Sequence, residues 1–136
     1  MNDKIIDLSR EQAAYINEQL SIYDKAHIQY SLEDGVQIGI EINGMLVGGL
    51  NAYTSAYHIL YVDTVFVEKE YRRRGLGRIL MQEMEQRAKK LGINLIRLDT
   101  FDWQGYEFYI SLGYEVVGHY YNEIDNFHEY FFAKRI

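Results

Sequence analysis

The run Val65-Phe66-Val67-Glu68-Lys69-Glu70-Tyr71-Arg72-Arg73-Arg74-Gly75-Leu76-Gly77-Arg78-Ile79-Leu80 has the makings of an anion cradle. An apolar strand enters a basic, glycine-containing turn, and the turn enters a helix. The first helical N–H groups lack internal partners, and the helix dipole puts partial positive charge at the same point. Gly75 and Gly77 carry no Cβ, so the backbone can bend sharply and approach an anion closely. Arg72, Arg73, Arg74 and Arg78 add full charges. The ligand chemistry this suits is a phosphate or diphosphate. A P-loop would need Gly-Lys-Ser/Thr here, and a dinucleotide fold would place its Gly-x-Gly-x-x-Gly in an early strand-helix-strand unit. Neither pattern fits.

Charge is divided along the chain. Eight basic residues lie between Lys69 and Lys90, whereas Leu98 to Ala133 contains no Lys or Arg but seven acids: Asp99, Asp102, Glu107, Glu115, Glu123, Asp125 and Glu129. The first region suits an anionic ligand. The second can attract a cation, or is simply a solvated acidic face. The net charge of −6 argues against nucleic acid as the main partner. With no cysteine, disulfides, thiolate metal sites and a cysteine nucleophile are excluded. His27, His58, His119 and His128 show no metal-ligand spacing, so no metal is expected. No apolar run approaches a membrane span, and the N-terminus lacks the layout of a secretory signal, so the cytoplasm is the default location.

The elements that must position these groups are legible as one domain over residues 1–136. Ser9-Arg10-Glu11-Gln12 reads as a capping box opening a helix with the stripe Ala13, Ile16, Leu20 and Tyr23. Val36, Ile38, Ile40 and Ile42 alternate with other residues as a half-buried strand, and Asn43-Gly44 is a strong hairpin signal. Met45–Tyr53 is the returning strand and Ile59–Val67 a third. A helix is expected from about Gly75 to Leu91 with Ile79, Leu80, Met84, Ala88 and Leu91 on its apolar face. Ile93–Leu98 then forms a strand parallel to the third, since a helix crossover joins them. Gln104–Leu112 is a short helix closed by Gly113, and two antiparallel strands flank a polar loop at 122–126. The class is mixed α/β (α+β) with a mostly antiparallel central sheet.

Two segments, in this order and separation, resemble the GNAT superfamily of N-acetyltransferases. Arg72-x-x-Gly75-x-Gly77 is similar to its acetyl-CoA pyrophosphate loop, Gln/Arg-x-x-Gly-x-Gly/Ala. Gly105-x-x-x-Tyr109-x-x-x-Gly113-Tyr114 is similar to its Ala-x-x-x-Tyr-x-x-x-Gly-Phe/Tyr signature. The upstream meander and the tail, with Tyr130-Phe131-Phe132, fit a small bacterial type, so the resemblance covers nearly the whole chain.

The resemblance implies acetyl transfer from acetyl-CoA to a primary amine of a small molecule or peptide, by direct attack on the thioester, without a metal. It implies that Arg73 to Arg78, Leu76 included, offer backbone N–H groups to the pyrophosphate, with arginine side chains at the edges and Arg72 open to a structural role. It implies that the two parallel strands splay, leaving Val65, Phe66 and Val67 to hydrogen-bond the pantetheine arm, with an N–H near Val65 or Phe66 polarising the thioester carbonyl. Val65 and Val67 are equally suited to plain core packing. Tyr109 aligns with the tyrosine that protonates the leaving thiolate, and its phenol keeps its proton at neutral pH. Gly105 falls where the family often has alanine, a small residue past which the cofactor can run. Asp63, sharing strand parity with Tyr61, Val65 and Val67, is the candidate base, acting through a water; otherwise it is a hydrogen-bonded acid at a sheet edge. Relatives with a glutamate base carry it about two residues earlier, where this chain has Tyr61. Asp102 falls where a cofactor-contacting asparagine often sits, and its charge leaves it out of the binding set. The acidic last third and the aromatics Tyr120, Tyr121, Phe127 and Tyr130 suit a cationic amine, and a homodimer is compatible with all of this. A non-catalytic acyl-CoA-binding module is the alternative.

Overall fold

The computed structural model describes residues 2–30 and 32–136. They fall into two compact units, one ending at Tyr30 and the other comprising 32–136. In the first, α1 (Arg10–His27) starts on a complete capping box. Ser9 Oγ accepts from the Gln12 N–H at 3.1 Å, and Gln12 Oε1 accepts from the Ser9 N–H at 3.0 Å. Its apolar stripe is exposed, Ile16 and Leu20 at 54% and 60%. One helix has no second layer of its own to bury a stripe against.

The second unit is a six-stranded sheet in the order β1 (Gly35–Ile42), β2 (Met45–Thr54), β3 (Ile59–Val67), β4 (Leu95–Phe101), β6 (Phe127–Arg135), β5 (Glu115–Asn122). Every neighbouring pair is antiparallel except β3 and β4. Asn43 and Gly44 both have positive φ, 53° and 77°, the conformation a two-residue hairpin turn requires. A short 3-10 turn, Lys69–Tyr71, leads from β3 to α2 (Leu76–Lys90), and α3 (Tyr106–Ser111) follows β4.

The core lies on the sheet face covered by α2. Leu80, Met81, Met84 and Ala88 of the helix are buried together with Leu60, Val62, Ile96, Leu98 and Phe132 of the sheet. Ile79, expected on this face, is exposed, and Met81 takes its place. At 100° per residue, positions 80, 81, 84 and 88 form one stripe that excludes 79. The strand expected at Ile93 starts at Leu95 instead. The Ile93 N–H is spent on the Ala88 carbonyl at 3.0 Å, closing α2.

Two irregularities shape the middle of the sheet. The pairing of β3 with β4 covers only Ile59–Tyr61 against Leu95–Arg97, although both strands continue past it. And β3 carries a bulge: Ala52 faces Val62 and Asn51 faces Thr64, which leaves Asp63 as the extra residue. The expected shared parity of Asp63 and Tyr61 with Val65 and Val67 is therefore broken. Val65 and Val67 pack against the core with Leu60 and Val62, while Tyr61 lies on the other face.

A polar clamp closes the far side. Glu85 accepts from the Tyr114 hydroxyl at 3.0 Å and from Lys134 Nζ at 2.9 Å, and Nζ also donates to the Leu112 carbonyl at 2.8 Å. Burial and the adjacent carboxylate push the Tyr114 hydroxyl far above its usual range, so it remains a donor. Lys134→Ala leaves Glu85 and the Leu112 carbonyl without their cation, and urea denaturation should show a loss of about 1–3 kcal/mol. An unchanged midpoint would mean that the clamp contributes nothing net.

Candidate active site

Where β3 and β4 part, a cavity of about 1170 Å³ opens. It runs from the β3–α2 turn to the loop between β4 and α3. At one end, Gly75 caps α2 in the left-handed conformation, φ 77°, and Arg73 is also left-handed at φ 64°. The Ile79 N–H bonds the Gly75 carbonyl at 3.1 Å and is the first to be satisfied within the helix, so the preceding N–H groups have no partner in the ladder. Arg72, Arg73, Gly75, Leu76, Gly77 and Arg78 all line the cavity; Arg74 does not.

The arginines divide their work. Arg72 Nε donates to the Val67 carbonyl at 2.8 Å, and its guanidinium lies 5.3 Å from the Phe66 ring centre. It braces the end of β3 and occupies the Val67 carbonyl, one of the groups that the resemblance offers to the pantetheine arm. Arg74 covers the Tyr71 ring at 5.1 Å. Arg78 donates to Ser111 Oγ at 3.0 Å, tying α2 to α3. Gly77 meets a packing need: a Cβ there would lie 3.2 Å from Phe108 Cζ.

The opposite wall is α3. Tyr109 lines the cavity, its ring held among Phe108, Tyr114 and Phe132 at centroid distances of 5.2, 6.0 and 5.9 Å. Burial raises the pKa of its hydroxyl, which keeps the phenol protonated and able to donate at neutral pH. Gly105 makes this placement fit, because a Cβ there would come within 3.0 Å of Tyr109 Cε2. The loop between β4 and α3 is fixed from inside. Buried Thr100 Oγ1 accepts from the Gly105 N–H at 3.2 Å, and Gln104 Oε1 accepts from the Phe101 N–H at 2.7 Å. Gln104 is thereby used before the helix, which starts at Tyr106 rather than at 104. Asp102 faces away from the cavity, accepting from the His128 N–H at 2.9 Å.

The open face of the sheet supplies acids and rings. Asp63 and Asp99 both line the cavity. The Tyr61 hydroxyl donates to Asp99 Oδ2 at 3.0 Å, and Arg97 stands 4.6 Å over the Tyr61 ring. Phe101 stacks on Trp103 at 4.6 Å, with Phe127 edge-on to both. The four aromatics grouped from the sequence separate here. Tyr120 and Phe127 share this face, whereas Tyr121 and Tyr130 lie on the other with His119 and His128. His119 Nε2 and His128 Nδ1 are 2.7 Å apart, a pairing that only the β5–β6 register brings about.

Residues 3–114 match the acetyltransferase (GNAT) family, and the chain belongs to it. An acetyltransferase from Bacillus cereus superposes with a TM-score of 0.91 at 28% identity, covering 98% of both chains. An aminoglycoside 6'-N-acetyltransferase solved with coenzyme A shares the fold, with a TM-score of 0.67 at 18% identity, over 93% of this chain and 81% of its own. The L-ornithine N5-acetyltransferase NATA1 of Arabidopsis thaliana is 31% identical over 58 residues, 41% of this chain. The matched stretch spans only 25% of that curated relative. Among the described residues, no helix is long and apolar enough to cross a membrane.

The two glycines of the turn should respond differently to substitution. Gly75→Ala meets open space and costs only its left-handed backbone, about 1 kcal/mol. Gly77→Val must displace Phe108 and should cost about 1–3 kcal/mol. Equal urea midpoints for the two variants would contradict the packing role of Gly77.

Proposed function

We propose that the protein transfers the acetyl group of acetyl-CoA to a primary amine carried by a cationic small molecule or peptide, by direct attack on the thioester. The observation that carries this reading is the continuity of one cavity. It joins a basic helix N-terminus, an unpaired stretch of β3, a buried phenol and two carboxylates.

In this reading the N–H groups from Arg73 to Arg78 hold the diphosphate, with the guanidinium of Arg73 at its edge and Arg72 and Arg74 bracing the turn. The amide-rich arm lies along Val65, Phe66 and Val67, where β4 has withdrawn as a partner, and one β3 N–H in this stretch polarises the thioester carbonyl. The amine approaches from the open face. A lysine-like ammonium has a pKa near ~10.4 and must lose a proton before it can attack. That proton passes to a carboxylate at the acceptor end, where Asp63 and Asp99 stand. As the C–S bond breaks, Tyr109 donates its proton to the departing thiolate. The second amine proton, released as the amide forms, restores the tyrosine. Asp63, Asp99 and the Phe101–Trp103–Phe127 rings favour an acceptor that is positively charged beyond the reacting nitrogen.

Release of free thiol from acetyl-CoA, followed across a panel of diamines, aminoglycosides and basic peptides, should show turnover with a cationic acceptor. Calorimetric binding of acetyl-CoA with no amine stimulating release would favour a non-catalytic acyl-CoA-binding module instead. Tyr109→Phe should lower kcat by roughly 10²–10⁴ while leaving acetyl-CoA affinity unchanged. Wild-type turnover in that variant would remove Tyr109 from the chemistry.

A further inference from the structure

We infer that Asp99, held in place by the Tyr61 hydroxyl, is the carboxylate that takes the proton from the attacking amine. This rests on the acetyl-transfer reading above and gives its proton step one address. Asp99 lies on β4 just past the last residue paired with β3, so it projects at the mouth of the gap. It lines the same cavity as Tyr109, which stands on α3 against the core face of the sheet. Its register partner on β6 is Phe131, which puts it on the open face beside Phe101 and Glu129. Asp63 lines the cavity too. Both acids are exposed, but Asp63 is the extra residue of the bulge, and among the described residues its carboxylate accepts from the adjacent Thr64 hydroxyl at a long 3.3 Å.

The two acids thus differ in how firmly they are aimed. Tyr61 reaches across from β3 and fixes Asp99 Oδ2 at 3.0 Å. The Arg97 guanidinium over the Tyr61 ring and the Tyr53 ring at 5.5 Å hold the phenol itself. Burial and the Asp99 carboxylate push the Tyr61 hydroxyl up to about 12, so it donates across the working pH range. A donor held on Oδ2 fixes the carboxylate's orientation and leaves Oδ1 to accept. The charged and titratable groups around Asp99 are Tyr61 and Asp63 on β3, Tyr53 on β2, Arg97 on its own strand, and Glu129 on β6, whose carboxylate accepts from Tyr120 on β5. The proton moves from the ammonium nitrogen to Asp99 Oδ1, leaving a neutral amine and a carboxylic acid. The acid returns its proton to water after the product leaves. Asp99 is a catalytic residue in this account, and Tyr61 is a positioning residue.

The test uses the whole chain and the best amine of the panel, and reads kcat and KM separately. Asp99→Asn should lower kcat by roughly 10²–10⁴, with Asp99→Glu recovering part of the loss. Tyr61→Phe frees the Asp99 carboxylate to turn and should lower kcat by roughly 3–10-fold while the KM for acetyl-CoA is unchanged. Acetyl-CoA affinity, measured by calorimetry, should be unchanged in all three variants. Wild-type kcat in Asp99→Asn would overturn the assignment. So would Asp63→Asn carrying the whole loss, which would move the proton to β3. A wild-type protein that turns over no amine ends both this assignment and the reading beneath it.

Discussion

Backbone hydrogen bonding between β3 and β4 ends after Tyr61, and the rest of the unit is arranged around the stretch of strand left beyond it. Main-chain N–H and C=O groups strongly favour pairing, so an interior strand with an open edge is costly unless something completes it. Part of the completion comes from the chain: Arg72 takes the Val67 carbonyl. The remainder faces the cavity. An amide-bearing ligand of extended shape is the kind of molecule that can finish such an edge, and the family's cosubstrate has such an arm.

Around that gap the protein separates charge by strand and helix. The N-terminus of α2 and the adjacent arginines form a positive end; Asp63 and Asp99 form a negative one. Tyr109 and the small residues beside it occupy the wall opposite the acids. Its ring fits because Gly105 has no Cβ, and Phe108 fits because Gly77 has none. Two glycines that look like parts of phosphate or tunnel signatures therefore also govern how closely α3 can approach its neighbours.

Much of this was legible from the residues. The capping box, the Asn43-Gly44 hairpin, the bounds of β3 and the parallel relation of β3 to β4 all follow from local patterns that the fold does not override. What was not legible depends on pairing between distant strands. The extra residue at Asp63 leaves only a faint local trace, the shift of the apolar positions from Leu60 and Val62 to Val65 and Val67, and the β2 register is needed to read that shift as a bulge. The Tyr61–Asp99 bond spans thirty-eight residues. The histidine pair and the division of the C-terminal aromatics between two faces come from the β5–β6 register. The side chain of Gln104 caps its own loop rather than starting a helix, a choice made by buried Thr100 and the Phe101 N–H.

The extra residue in β3 lets the apolar side chains on both sides of it keep one face: Leu60 and Val62 before it, Val65 and Val67 after it. Deleting one residue between Tyr61 and Thr64 would leave a regular ladder with β2 and the same side chains inward. What the strand would lose is the local bend and added twist that a bulge supplies, at the point where it leaves β4. A straighter β3 would follow its neighbour further and narrow the cleft.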